Sequence, residues 1–151
     1  MRKIFLSLIL LIALNQNSNA NAGQSTVKFI GSKDALVQLE VASTPEEKSK
    51  GLMNVSSLPE NHGMVFTFRP AQKVTFWMKD TLIPLDMIFI RKGKIVKIVK
   101  SATPNQTQIL YPSDFEVTEV VEVNGGYTNK YKISVGSKVL FKNMLTSKTN
   151  G

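Results

Sequence analysis

The stretch Met87-Ile88-Phe89-Ile90-Arg91-Lys92-Gly93-Lys94-Ile95-Val96-Lys97-Ile98-Val99 decides the fold. Its first four residues are all apolar, as in a strand covered on both faces. Lys92-Gly93 then turns the chain back into 95–99, and the two runs read as a β-hairpin. Lys94, Lys97 and Lys100 recur every three residues, which is a helical spacing, but the β-branched content of the run overrules it. Outward from this hairpin, strands are expected at 27–30, 35–42, 64–68, 74–78 and 117–123, with 139–141 closing the sheet.

Two short helical pieces interrupt the strands. Thr44-Pro45-Glu46-Glu47 combines a Thr cap, Pro at the first helical position and Glu three residues after the cap. Gly51 stands where a C-terminal glycine would end that helix. Asn124-Gly125-Gly126 is read as a turn and 127–133 as one irregular helical turn. Residues 103–113, bounded by Pro104 and Pro112, are read as a loop. The expectation is a mainly β, small single-domain protein: a partly open β-barrel or sandwich-like sheet with one or two short helices.

Composition narrows the chemistry. The chain has 151 residues, 42% hydrophobic and 20% charged, with a formal charge of +8. It contains no cysteine, which excludes disulfides, thiol nucleophiles and Cys-ligated metal sites. A single histidine, His62, excludes two-His metal motifs; its loop composition suggests a solvent-exposed imidazole. Met53, Met64, Met78 and Met87 sit in or beside apolar runs and read as core filling rather than soft-metal ligands. No metal or cofactor is called for. Arg91, Lys92, Lys94, Lys97 and Lys100 are not interleaved with aromatics, so nucleic acid is not an expected partner. The same lysines would discourage edge-to-edge strand pairing.

The first 22 residues read as an export signal: Arg2 and Lys3, an apolar run over 4–14 broken only by Ser7, and Ala20-Asn21-Ala22. That run covers about half of a ~30 Å hydrocarbon core, so no stable membrane span is expected after cleavage. The organisation is therefore a signal peptide at 1–22, a β-rich domain at 23–142 and a polar tail at 143–151 that is expected to fray. Loss of Arg2 and Lys3 would lower the formal charge from +8 to +6.

The densest cluster of chemistry-bearing residues is Phe76-Trp77-Met78-Lys79-Asp80-Thr81, followed by Ile83-Pro84-Leu85-Asp86. A strand emptying into a Pro-fixed loop is a usual place for a site. Trp77 offers a flat apolar platform and Lys79 an anion partner or acid/base group. The competing reading makes Trp77 core and Lys79-Asp80 a solvated turn. Glu122 lies between Val121 and Val123, and Glu40 between Leu39 and Val41. Strand alternation could turn each outward. If two carboxylates faced one cavity, their repulsion would make an acid/base pair or a hard-cation site. The candidate ligand-binding residues are thus Trp77, Lys79, Asp80, Thr81, Asp86 and Glu122; no catalytic residue is assigned.

Taken together, Gly51-Leu52-Met53, Gly63-Met64-Val65-Phe66, the Trp77 to Asp86 string and Val121-Glu122-Val123-Asn124-Gly125-Gly126 resemble the domain-of-unknown-function 192 family of small bacterial and archaeal proteins. The matching order and spacing run from about residue 36 to 142. The resemblance implies a compact β-rich domain with a short helix, often behind a signal peptide. It implies no activity and carries over no catalytic residue. Three positions depart from the family pattern: Asn54 where Arg commonly follows Gly-Leu-Met, Asp80 where Asn is usual, and Ser137 where Asp often follows the glycine.

The functional expectation is a cell-envelope ligand-binding or accessory module, periplasmic or secreted, with an unidentified small molecule or envelope component as partner. A carboxylate-dependent hydrolase or transferase acting on an envelope glycan, and a purely structural or partner-binding domain, are the alternatives. Export is directly testable: expressed in a bacterial host, the protein should appear in the periplasmic or secreted fraction starting at Gly23. A soluble cytoplasmic product with an intact Met1 would refute it.

Overall fold

The computed structural model of the chain describes residues 23–33 and 35–144. The expected signal segment and residues 145–151 of the expected tail lie outside the described residues. In chain order the elements are β1 (Ser25–Phe29), β2 (Leu36–Ala42), α1 (Pro45–Lys50), β3 (His62–Gln72), β4 (Thr75–Met78), β5 (Leu85–Arg91), β6 (Lys94–Ala102), β7 (Gln106–Pro112), β8 (Val117–Asn124), α2 (Tyr127–Lys130) and β9 (Val139–Lys142). Seven strands, in the order β6-β5-β8-β3-β2-β1-β9, form a curled half-barrel, and β4 pairs with β7 in a second small sheet. The mainly β expectation holds.

The β5–β6 hairpin forms as the sequence requires. Lys92 (φ 49°) and Gly93 (φ 69°) both adopt positive φ, the conformation that a two-residue hairpin turn uses. Every pair in the large sheet is antiparallel except β2–β3. Parallel neighbours need a crossover. Here it is α1 and the segment 51–61, which pass over one face of the sheet. Helix α1 starts at the capping box: the Thr44 hydroxyl accepts from Glu47 N–H, and the Glu47 carboxylate accepts from Thr44 N–H at 2.9 Å. Backbone N–H groups of Thr44 and Ser43 hold the Glu47 carboxyl below the usual range.

The two faces of the sheet bury different residues. Val27, Phe29, Val37, Val65, Ile88, Val121 and Val123 line the inside of the curl. Its edges meet at one end, where Val139 N–H donates to Gly93 O (2.9 Å) and Ile95 N–H to Ser137 O (3.0 Å). The outer face carries Met64, Phe66, Phe68, Met87, Phe89 and Val120, and is covered by Leu52, Met78 and Phe76 from the crossover and the second sheet. Gly63 is needed where β3 presses on β8, since a Cβ there would lie 2.4 Å from the Glu122 carbonyl oxygen.

Two expectations are corrected. The 103–113 loop contains β7, whose middle residues are exposed and whose pairing with β4 is interrupted by a bulge between Phe76 and Met78. Pro104 precedes this strand and Pro112 is its last residue, opposite Thr75, where an edge strand tolerates a residue without an N–H. Strand β3 runs through Arg69-Pro70, where a break was expected, with an irregular register against β8 between Thr67 and Gln72. At the end of the described residues, Ser25 Oγ donates to Asn143 O at 2.5 Å, and Met144 packs against the inner core.

Asp86 ties the elements together. It is fully buried, and its carboxylate accepts from Ser101 N–H (2.8 Å), Gly126 N–H (2.9 Å), Thr128 N–H (2.8 Å) and the Thr128 hydroxyl (2.6 Å). Gly126, at the N-cap of α2, has no side chain to cap with, so Asp86 supplies the cap from β5. Asp86→Ala would leave buried N–H groups without an acceptor and is expected to destabilise the domain by about 3 kcal/mol or more. Denaturant midpoints at constant m-value check this; an unchanged midpoint would refute it.

Candidate functional site

On β8, Val121 and Val123 point into the curl, so Val120 and Glu122 point out. Alternation thus does turn Glu122 outward, but the outer face is covered here rather than solvated. Glu122 is 4% exposed and stands in register between Met64 of β3 and Met87 of β5. Among the described residues nothing hydrogen-bonds its carboxyl, and it borders a cavity of about 30 Å3. Lys48, Gly51, Met53, Phe76, Trp77 and Thr81 contribute to the walls. Burial pushes the Glu122 pKa up to about 8.

The wall is built by three local devices. Gly51 ends α1 at φ 47°, against the Phe66 ring, and drops Leu52 and Met53 onto the outer face. In β4, Phe76 turns inward and packs edge-to-face on Phe66 and Phe89, at centroid distances of 5.0 and 5.9 Å. Its neighbour Trp77 therefore faces outward and is 45% exposed. After β4, Asp80 (φ 51°) and Asn54 (φ 61°) both take the left-handed conformation, and Asn54 N–H donates to Asp80 O at 2.8 Å. Two of the positions that depart from the family pattern therefore meet in one backbone contact, which ties the crossover to the turn after β4. A wider groove of about 270 Å3 continues from the small cavity along Phe66, Phe68, Val74, Phe76, Trp77 and Lys48.

Of the residues expected from sequence, Trp77, Thr81 and Glu122 meet in this cleft. Lys79 stands beside it with its ammonium 5.6 Å from the Trp77 ring centroid. Asp80 is exposed on the turn and does not line the cavity. Asp86 lies away from the cleft: it pairs with Val123 on the opposite face and spends both oxygens on the fold. Lys79, exposed beside the cleft, and the buried Asp86 on the opposite face are therefore not neighbours. Glu40 shares the outer face with Glu122, beyond Met64, and is exposed at the rim of a separate cavity of about 600 Å3. His62 lines that cavity too. It is the first residue of β3 rather than part of a loop, and its Nδ1 is buried without a partner. Lys48, Phe66 and Phe68 were missed as site residues; Gly-Leu-Met and Gly-Met-Val-Phe were the signal, because those motifs place a helix end on a ring. Among the described residues no three His, Asp or Glu side chains gather as a metal set. Among the described residues no helix is long and apolar enough to cross a membrane.

The molecule is thus a small curled-sheet domain with an outer layer that encloses the buried Glu122. A family model described as Uncharacterized ACR, DUF192, matches residues 27–141, and the chain belongs to that family. No curated protein matches it. A crystal structure from Sinorhizobium meliloti 1021, described in provisional terms as a transcription regulator, is similar at 29% identity with a TM-score of 0.73, covering 80% of this chain and 94% of its own. A protein of unknown function from Novosphingobium aromaticivorans DSM 12444 is similar at 33% identity with a TM-score of 0.71, covering 78% and 83% respectively.

The Glu122 carboxyl links the cleft to stability. Between its ordinary value of 4.5 and about 8, the folded chain holds a proton that the unfolded chain has released. Stability due to this group therefore falls as pH rises through that window, by up to about 1.4 kcal/mol per pH unit. Glu122→Gln should match the wild type near pH 4.5, exceed it at pH 8, and show a flatter profile between. Denaturation midpoints across that range test this; parallel profiles would refute it.

Proposed function

We propose that the protein is an exported cell-envelope module that binds a small ligand in the cleft between Trp77 and Glu122. The observation that carries this reading is the unpartnered Glu122 carboxyl on a central strand. Its lateral neighbours on the same face are methionines, and an apolar residue there would serve packing better. Leaving a buried polar group unpaired costs roughly 1–3 kcal/mol. A half-exposed tryptophan over such a group is the arrangement of a ligand platform rather than of a core. The envelope assignment rests on the signal-like residues 1–22 and on the basic charge, which favours anionic surfaces.

The hydrolase reading is weaker, because Asp86 faces away from Glu122 and Glu40 is exposed beyond Met64. A carboxylate pair around one bond therefore lacks its second member. A DNA-binding transcription-regulator reading, prompted by the provisional description of the Sinorhizobium protein, is also less supported. The described helices have six and four residues, too short to offer a recognition helix.

The test is a thermal-shift screen of glycans, anionic oligosaccharides, nucleotides and divalent cations on wild type, Trp77→Ala and Glu122→Ala. A ligand of this cleft should stabilise the wild type by about 2.7 kcal/mol at a hundred times its Kd, and both variants should lose that gain. A hit unchanged in both variants moves the site elsewhere. No hit at all favours the structural-domain reading.

A further inference from the structure

Two spaces meet at Trp77. The deeper, about 30 Å3, admits one water-sized group beside Glu122. The wider, about 270 Å3, is walled by aromatic rings. Lys48, Phe66, Phe76 and Trp77 belong to both, so one ligand can lie on the rings and send a small group down to Glu122.

The charges around Glu122 have one prevailing sign. From α1, Lys48 and Lys50 stand at the cavity, while Glu47 is engaged at the helix start. Strands β3 and β5 set uncharged Met64 and Met87 beside it. Strand β4 and its turn bring Trp77 and Thr81, with Lys79 over the indole ring and Asp80 exposed. On β2, Glu40 is exposed beyond Met64. The ammonium of Lys48 rests 4.8 Å from the Phe68 ring centroid on a flexible stem, at the wall of both spaces.

We infer that the cleft takes a small amphiphilic anion, with an apolar body against Phe66, Phe68 and Trp77 and a carboxylate or phosphate oxygen accepting a hydrogen bond from the protonated Glu122 carboxyl. This rests on the cleft reading above and adds the ligand's chemical class. Lys48 supplies the counter-charge. A buried acid kept neutral donates where an ionised one would repel. A cationic head would meet instead a neutral carboxyl and two ammonium groups. Burial keeps Glu122 protonated up to about pH 8, so the anion is accepted at neutral pH.

Trp77 is the only tryptophan and reports directly on the cleft. Phenylacetate and phenyl phosphate, titrated into the exported protein, should change its fluorescence saturably, and phenethylamine should bind more weakly than either. Between pH 6.5 and pH 9 anion affinity should fall about tenfold, since only about a tenth of Glu122 remains protonated at the higher pH. Glu122→Gln, which keeps a donor but cannot ionise, should bind with one affinity at both pH values. Lys48→Met should weaken both anions by about tenfold. Both variants are checked by circular dichroism for the wild-type fold. Binding of one anion alone supports the inference and names the head group. Phenethylamine binding more tightly than the anions overturns the anion assignment and leaves the cleft standing. A wild-type affinity indifferent to pH overturns the role of Glu122. No saturable change with any of the three probes overturns both the anion assignment and the cleft reading.

Discussion

Asp86 accepts hydrogen bonds from β6, from the turn after β8 and from the first residues of α2, all at a point with no solvent exposure. A carboxylate out of water is tolerable only when its lone pairs are met, and here the partners are backbone groups that would otherwise be orphaned themselves. The mutual satisfaction fixes β5, β6 and β8 at one end. It also explains why Pro-Leu-Asp and Asn-Gly-Gly belong together, since the loop glycines let the backbone reach the carboxylate. Gly125 comes so close to Pro84 that a Cβ would lie 3.0 Å from its side chain.

Two buried acids of the central strands, Asp86 and Glu122, have opposite fates for one geometric reason. Asp86 and Val123 pair laterally and share a face, whereas Glu122 is one residue from Val123 and so lies on the other. Asp86 is surrounded by N–H groups; Glu122 is surrounded by methionines, rings and a helix end. The same side-chain chemistry becomes a structural acceptor in one place and a neutral donor in the other.

Much of this was legible in residues 44–51 and 87–99. The capping box, the closing glycine and the Lys-Gly hairpin are local devices, and local devices can be read without knowing the fold. Strand β7 was not legible because it has no buried stripe of its own; the Gln106 side chain, bonded to the backbone of Ile109, shapes its bulge. In the cleft, Trp77, Thr81 and Glu122 could be nominated from their types and surroundings. Which face each acid would take could not, because β5 and β8 are buried on both sides and offer no polar face to set the phase. Asp86 was therefore grouped with residues it never meets, and Lys48 and Phe68 were left out.

Strands β1 and β9 lie side by side and antiparallel, with Thr26 opposite Lys142. The first and last strands of the sheet thus begin and end within one strand spacing of each other, about 5 Å. Such a domain is a plug-in unit. It could be spliced whole into a surface loop of a host protein, or its order recut with a short linker, without redrawing any strand pairing. Covalent neighbours on either side would leave from the same spot on the rim, so what the cleft faces is set by one hinge point rather than two.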